Sequence, residues 1–186
     1  MAPGGRGLPR NRLRVPNNRL ILTAAVFLLC VTAATAGAGT ETASPCAAAR
    51  LSGSFTVIAG SAGAGNIVYT LTLRNRSGAT CWISGLPHVT LLGKTGRALP
   101  THVVPAQPGT ATAALIILSP GQRARATARF SPDVPDPGEQ TMGQCEPTAH
   151  RLRVRPNGGG ALSVPVVPPT PVCEHGTMQF SLYRHA

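Results

Sequence analysis

Hydrophobic and polar positions alternate with a period of two along most of the chain beyond residue 46. The clearest run sets Ile67, Tyr69, Leu71 and Leu73 against Val68, Thr70, Thr72 and Arg74, as a strand with one face in a core and the other in solvent requires. Asn75-Arg76-Ser77-Gly78 is turn chemistry and ends that strand. Two later segments repeat the alternation with arginine as polar partner. Ala124, Ala126, Ala128 and Phe130 alternate with Arg123, Arg125, Thr127 and Arg129; Leu152 and Val154 alternate with Arg151, Arg153 and Arg155. Near the C-terminus Met178, Phe180 and Leu182 alternate with Gln179, Ser181 and Tyr183. Further strands are predicted over 51–58, 87–92, 113–118 and 162–167, giving about eight in all, enough for a two-sheet antiparallel β-sandwich.

Composition strengthens that reading. Gly (21) and Pro (18) are abundant and Lys, Glu and Gln scarce, which favours short strands and many turns in an all-β fold. The segment 131–144 holds Asp133, Asp136 and Glu139 among three prolines and is expected to be a long solvated loop. Calcium is not expected there, because the prolines restrict a backbone that would have to wrap the ion.

The first 36 residues have a different character. An arginine-rich start (1–19) leads into an apolar run (20–31) and then small residues through Ala34, Ala36 and Ala38, the order of a secretory signal peptide. The alternative is an uncleaved anchor, and the run is short for a bilayer. Neither Cys30 nor Cys46 follows the small residue that a lipidation signal needs. Residues 37–45 read as a flexible leader, and 46–186 as a single domain, secreted or held at the cell envelope.

Removing Cys30 with the signal leaves Cys46, Cys81, Cys145 and Cys173, an even set suited to an oxidising compartment. Three connectivities are open. Cys46–Cys81 with Cys145–Cys173 is preferred because each closes a local segment, restricting the unfolded chain by roughly 3.5–4 kcal/mol. No Cys-x-x-Cys pair exists and the histidines are scattered, so neither a metal nor any other cofactor is expected.

The order of these residues resembles an actinobacterial family of secreted proteins and lipoproteins known as domain of unknown function 4232. The likeness runs from Cys46 through Ala64-Gly65-Asn66, Asn75-Arg76-Ser77-Gly78, Thr80-Cys81, Gly85, Pro87 and Leu91-Leu92. It continues through Leu118, Pro120, Gly121, Cys145, Leu152, Val154 and Pro156 to Cys173 and Gly176. Trp82 and Leu86 depart from the Thr and Tyr often found there. The resemblance implies an immunoglobulin-like sandwich at or beyond the cell envelope, and no known activity.

Chemistry-bearing motifs are few. Gly60 to Gly65 lacks the Lys-Ser/Thr and the following helix of a phosphate loop. No Gly-x-Ser-x-Gly is present, and of the six acids one lies in the leader and most others lie in or beside one loop, so an enzyme is not expected. Cys173, Glu174 and His175 are read as strand residues pointing to different faces. Met178 is read as core despite its nearness to His175, which together suggest a copper carrier. Trp82 is expected to pack on the neighbouring disulfide.

Net charge is +11, falling to about +6 once the five arginines before the apolar run are removed. The best candidate contacts are Arg123, Arg125 and Arg129 on one strand and Arg151, Arg153 and Arg155 on another. If these strands are neighbours, six guanidinium groups form one face for an anionic envelope polymer, lipid headgroup or protein. Aromatics for stacking bases are nearly absent, so nucleic acid is not expected, and membrane contact would come only through an uncleaved signal. The expectation is a non-catalytic binding or structural module; the alternative is a small exported enzyme or copper carrier with a concave site near His88, His102 or His150.

Overall fold

The computed structural model of this chain describes residues 43–109 and 113–186. The expected signal peptide and the leader up to residue 42 lie outside the described residues.

Twelve strands follow in chain order among the described residues: β1 Ser44–Pro45, β2 Leu51–Val57, β3 Ile67–Asn75, β4 Cys81–Ile83, β5 His88–Leu92, β6 His102–Pro105, β7 Ile116–Leu118, β8 Arg123–Phe130, β9 Ala149–Arg155, β10 Leu162–Thr170, β11 Thr177–Phe180 and β12 Arg184–His185. Every segment with a clear period of two is a strand. The four additions, β1, β4, β6 and β12, have two to four residues each, too few to display a period. Ser44 and Pro45, read as the end of a flexible leader, instead pair in parallel with Cys81 and Trp82.

One sheet runs β1-β4-β7 and the other β5-β9-β10-β2-β3-β8-β11-β6, with β12 also on β8. Most pairings are antiparallel as expected, but β1–β4, β2–β10 and β6–β11 are parallel. Inward residues from both sheets meet in one core. Phe55, Tyr69, Leu71, Leu73, Ile83, Leu118, Leu152, Val154, Met178 and Phe180 all belong to it. Phe55 stacks on Tyr69 with ring centroids 4.9 Å apart, and Tyr69 lies 5.3 Å from Phe130, distances at which aromatic pairs add to their burial.

Both preferred disulfides are present, Cys46–Cys81 and Cys145–Cys173, with Cα separations of 5.0 and 5.5 Å. The segment 131–144 is irregular, as its prolines predict.

Two local readings change. The C-terminal alternation stops at Phe180, because Ser181 interrupts the ladder: its N–H donates to the Thr127 carbonyl and its hydroxyl accepts the Thr127 N–H. The phase then inverts, and Tyr183 is buried while Leu182 is only half-buried. Cys173-Glu174-His175 forms a tight turn rather than a strand, with Glu174 and His175 at φ 56° and 54°. Gly176 continues it at φ 79°, where any Cβ would collide with the Pro100 carbonyl.

Candidate functional site

The outward positions of β2, β3, β8 and β12 form a polar surface whose composition follows from strand register. Ser52 stands opposite Arg74, and Arg74 opposite Arg123; one row along, Ser54, Thr72, Arg125 and Arg184 face one another in turn. Register-paired residues share a face, so Arg74, Arg123, Arg125 and Arg184 lie together, all exposed. Neighbouring strands are about 4.8 Å apart and same-face residues about 6.8 Å apart along a strand. Ser52, Gly53, Ser54, Thr72, Arg74 and Arg123 line a shallow depression of about 450 Å³ there. Arg129 lies further along β8, opposite Val68 and Gln179.

Among the described residues no side-chain carboxylate is paired with this patch. The acids among the described residues fall between Asp133 and Glu174, and the one close carboxylate–base contact found there joins Glu139 to the His175 ring at 3.7 Å. Arg74 donates from Nε to the Gly121 carbonyl at 3.3 Å, which orients it without cancelling its charge. Like charges directly opposite on neighbouring strands repel, so the sheet carries an unfavourable interaction that an anion would relieve.

The six arginines singled out from the sequence point outward from one sheet but do not meet in one patch. β9 and β8 are separated by β10, β2 and β3, because β9 pairs with the strand that follows it while β8 pairs with the distant β3. The second group is also differently engaged. Arg151 donates to the Ser163 hydroxyl at 2.8 Å and to the Ser163 carbonyl at 3.2 Å, Arg153 is half-buried, and Arg155 stands opposite His88. Arg74 and Arg184 are the additions. Arg74 was visible as a polar-phase residue of β3, but Arg184 lies beyond the phase inversion at Ser181 and left no periodic signal.

Other residues of interest scatter. His88, Arg155, Ser84, Asn157 and Tyr183 border a cavity of about 300 Å³, while His150 borders another of about 430 Å³ with Lys94 and Arg97. Trp82 is half-buried, in register between Pro45 and the exposed Ile117. Met178 is fully buried, as its phase predicts.

Glu139 has a local structural task. Its carboxylate accepts N–H bonds from Asp136 (2.7 Å), Glu174 (3.0 Å) and His175 (2.5 Å), clamping the left-handed turn. Shielding from solvent would raise its pKa, but these N–H donors and the nearby imidazole outweigh that and hold it below the ordinary carboxylate value.

A family model described as Domain of unknown function (DUF4232) matches residues 46–182. The chain belongs to this family. The matched span, from Cys46 to Leu182, takes in all of the DUF4232 sandwich but β1 at one end and β12 at the other, and contains three of the four clustered arginines. Arg184 falls just beyond it. No curated protein and no solved structure matches this DUF4232 chain. Its two disulfides suit an oxidising compartment, and no helix among its described residues is long and apolar enough to cross a membrane.

Proposed function

We propose that this DUF4232 domain is a non-catalytic module, secreted or held at the cell envelope, that binds an anionic envelope component. Arg74, Arg123, Arg125 and Arg184 are its contacts. The observation that carries this reading is the Arg74–Arg123 and Arg125–Arg184 register, with no side-chain carboxylate paired to it among the described residues. Guanidinium groups grip phosphate and carboxylate oxygens through paired N–H donors. Their spacing, about 5 Å across strands and 7 Å along them, suits a polymer that presents one anion per repeat. Ser52, Ser54 and Thr72 supply neutral donors on the same surface.

The test is retention of the full-length oxidised protein on isolated cell envelope and on a polyphosphate resin, across a salt series. Replacing Arg74, Arg123, Arg125 and Arg184 by Ser is expected to reduce retention about tenfold or more at low salt and to flatten its salt dependence. An Arg151→Ser, Arg153→Ser, Arg155→Ser variant is expected to lose less, since Arg151 already serves Ser163. Equal retention by the wild type and the first variant would remove the proposal.

A further inference from the structure

Glu139, Glu146 and His175 are brought together from three parts of the chain. One carboxylate oxygen from each glutamate and one ring nitrogen of His175 lie within 4.8 Å of one another. The convergence has a covalent basis. Glu146 follows Cys145 directly and His175 lies two residues beyond Cys173, so the Cys145–Cys173 bond draws both side chains to one place. Glu139 enters from the proline-rich loop and is fixed by its three backbone N–H bonds.

The donor inventory leaves capacity at this point. A carboxylate has about four lone-pair sites; Glu139 uses two on Oε2 and one on Oε1. The remaining site is on Oε1, the atom 3.7 Å from His175 Nδ1. Glu146 makes no hydrogen bond or ion pair among the described residues. His175 is half-exposed, so its ring is free to turn.

We propose that Glu139, Glu146 and His175 bind a first-row divalent transition-metal ion of the Zn(II) class. Two carboxylates match the charge of the ion, and the imidazole selects it over Ca(II) and Mg(II), which prefer all-oxygen sites. Bonds of about 2.0–2.2 Å require the three ligand atoms to close to about 3.3 Å apart, a movement within reach of the half-exposed His175 and the half-buried Glu146. Three protein ligands leave a fourth position for water or an outside ligand. The site is independent of the arginine patch, and either can fail without the other.

The test uses the full-length protein with both disulfides formed, titrated with Co(II) and followed by its visible absorption, then displaced by Zn(II). One ion per chain is expected. His175→Gly removes the ligand while placing the residue best suited to φ 54° in the turn, so the fold should keep its melting temperature or gain. Its Co(II) affinity should fall about tenfold or more, as should that of Glu146→Gln, and Ca(II) should not displace Co(II). The proposal is overturned if the wild type binds no Co(II), if His175→Gly binds it equally well, or if Ca(II) competes as effectively as Zn(II).

Discussion

Arg74 and Arg123 stand directly opposite each other on β3 and β8, both exposed and with no side-chain carboxylate paired to either among the described residues. Such a pair lowers the stability of the sheet that carries it. Arg123→Thr removes the repulsion and introduces a residue that suits a strand. It should raise the unfolding free energy by about 0.2–1 kcal/mol while reducing retention on an anionic matrix. Urea unfolding and salt-dependent retention, measured on the same variant, check both signs.

Asn75 is buried at the end of β3 and joins three segments. Its amide donates to the Ala79 and Leu118 carbonyls, both at 2.8 Å, and its oxygen accepts the Ser77 N–H at 2.9 Å and the Ser77 hydroxyl at 2.7 Å. Asn75→Ala strips the buried Leu118 carbonyl of this donor and releases the turn. We expect a loss of about 2–3 kcal/mol. Asn75→Asp, which keeps the acceptor and loses the donor, should cost a comparable amount in denaturant unfolding.

Two buried tyrosines make a contrasting pair. The Tyr69 hydroxyl donates to the Pro168 carbonyl at 2.7 Å, whereas the Tyr183 hydroxyl has no hydrogen-bond partner among the described residues. Burial pushes both phenol pKa values up. Tyr69→Phe should therefore destabilise by about 1 kcal/mol, and Tyr183→Phe should be neutral or stabilise by a similar amount. Thermal unfolding of the two variants side by side tests the order, and a larger loss from Tyr183→Phe would contradict it.

The clamp at Glu139 makes part of the stability depend on acid. Its folded-state pKa lies below the unfolded value, so the unfolded chain binds the extra proton first as pH falls. The contribution is fully present above the ordinary carboxylate pKa of about 4.3 and disappears as pH drops through the lowered folded value. Glu139→Gln should lower stability at pH 7 and flatten the acid limb of a melting-temperature curve taken from pH 7 to pH 2. An acid limb as steep as that of the wild type would show that other groups carry it.

Much of this fold was legible because its long strands are half-buried. Tyr69, Leu71 and Leu73 face the core while Thr70, Thr72 and Arg74 do not, and that alternation is written residue by residue. β4 was not legible, since Cys81–Ile83 is too short for a period and becomes a strand by pairing with Ile116–Leu118. β1 is similar: Ser44 and Pro45 look like leader until they meet Cys81 and Trp82. At the C-terminus the sequence continues to alternate past Phe180, but the Ser181–Thr127 bonds shift the chain by one residue and turn Tyr183 inward.

Sequence by itself determined the β class, its family likeness and which arginines of the long strands point away from the core. These depend on side-chain period, turn residues and motif order, all of them local. The tertiary structure alone decided which arginines meet. The β3–β8 and β8–β12 pairings join Arg74, Arg123, Arg125 and Arg184, whereas β10, β2 and β3 separate β8 from the arginines of β9. The same holds for Glu139, Glu146 and His175, gathered by a loop and a disulfide. Strand order rests on hydrogen bonds between distant segments, and a period of two records only which face a residue takes, never the strand beside it.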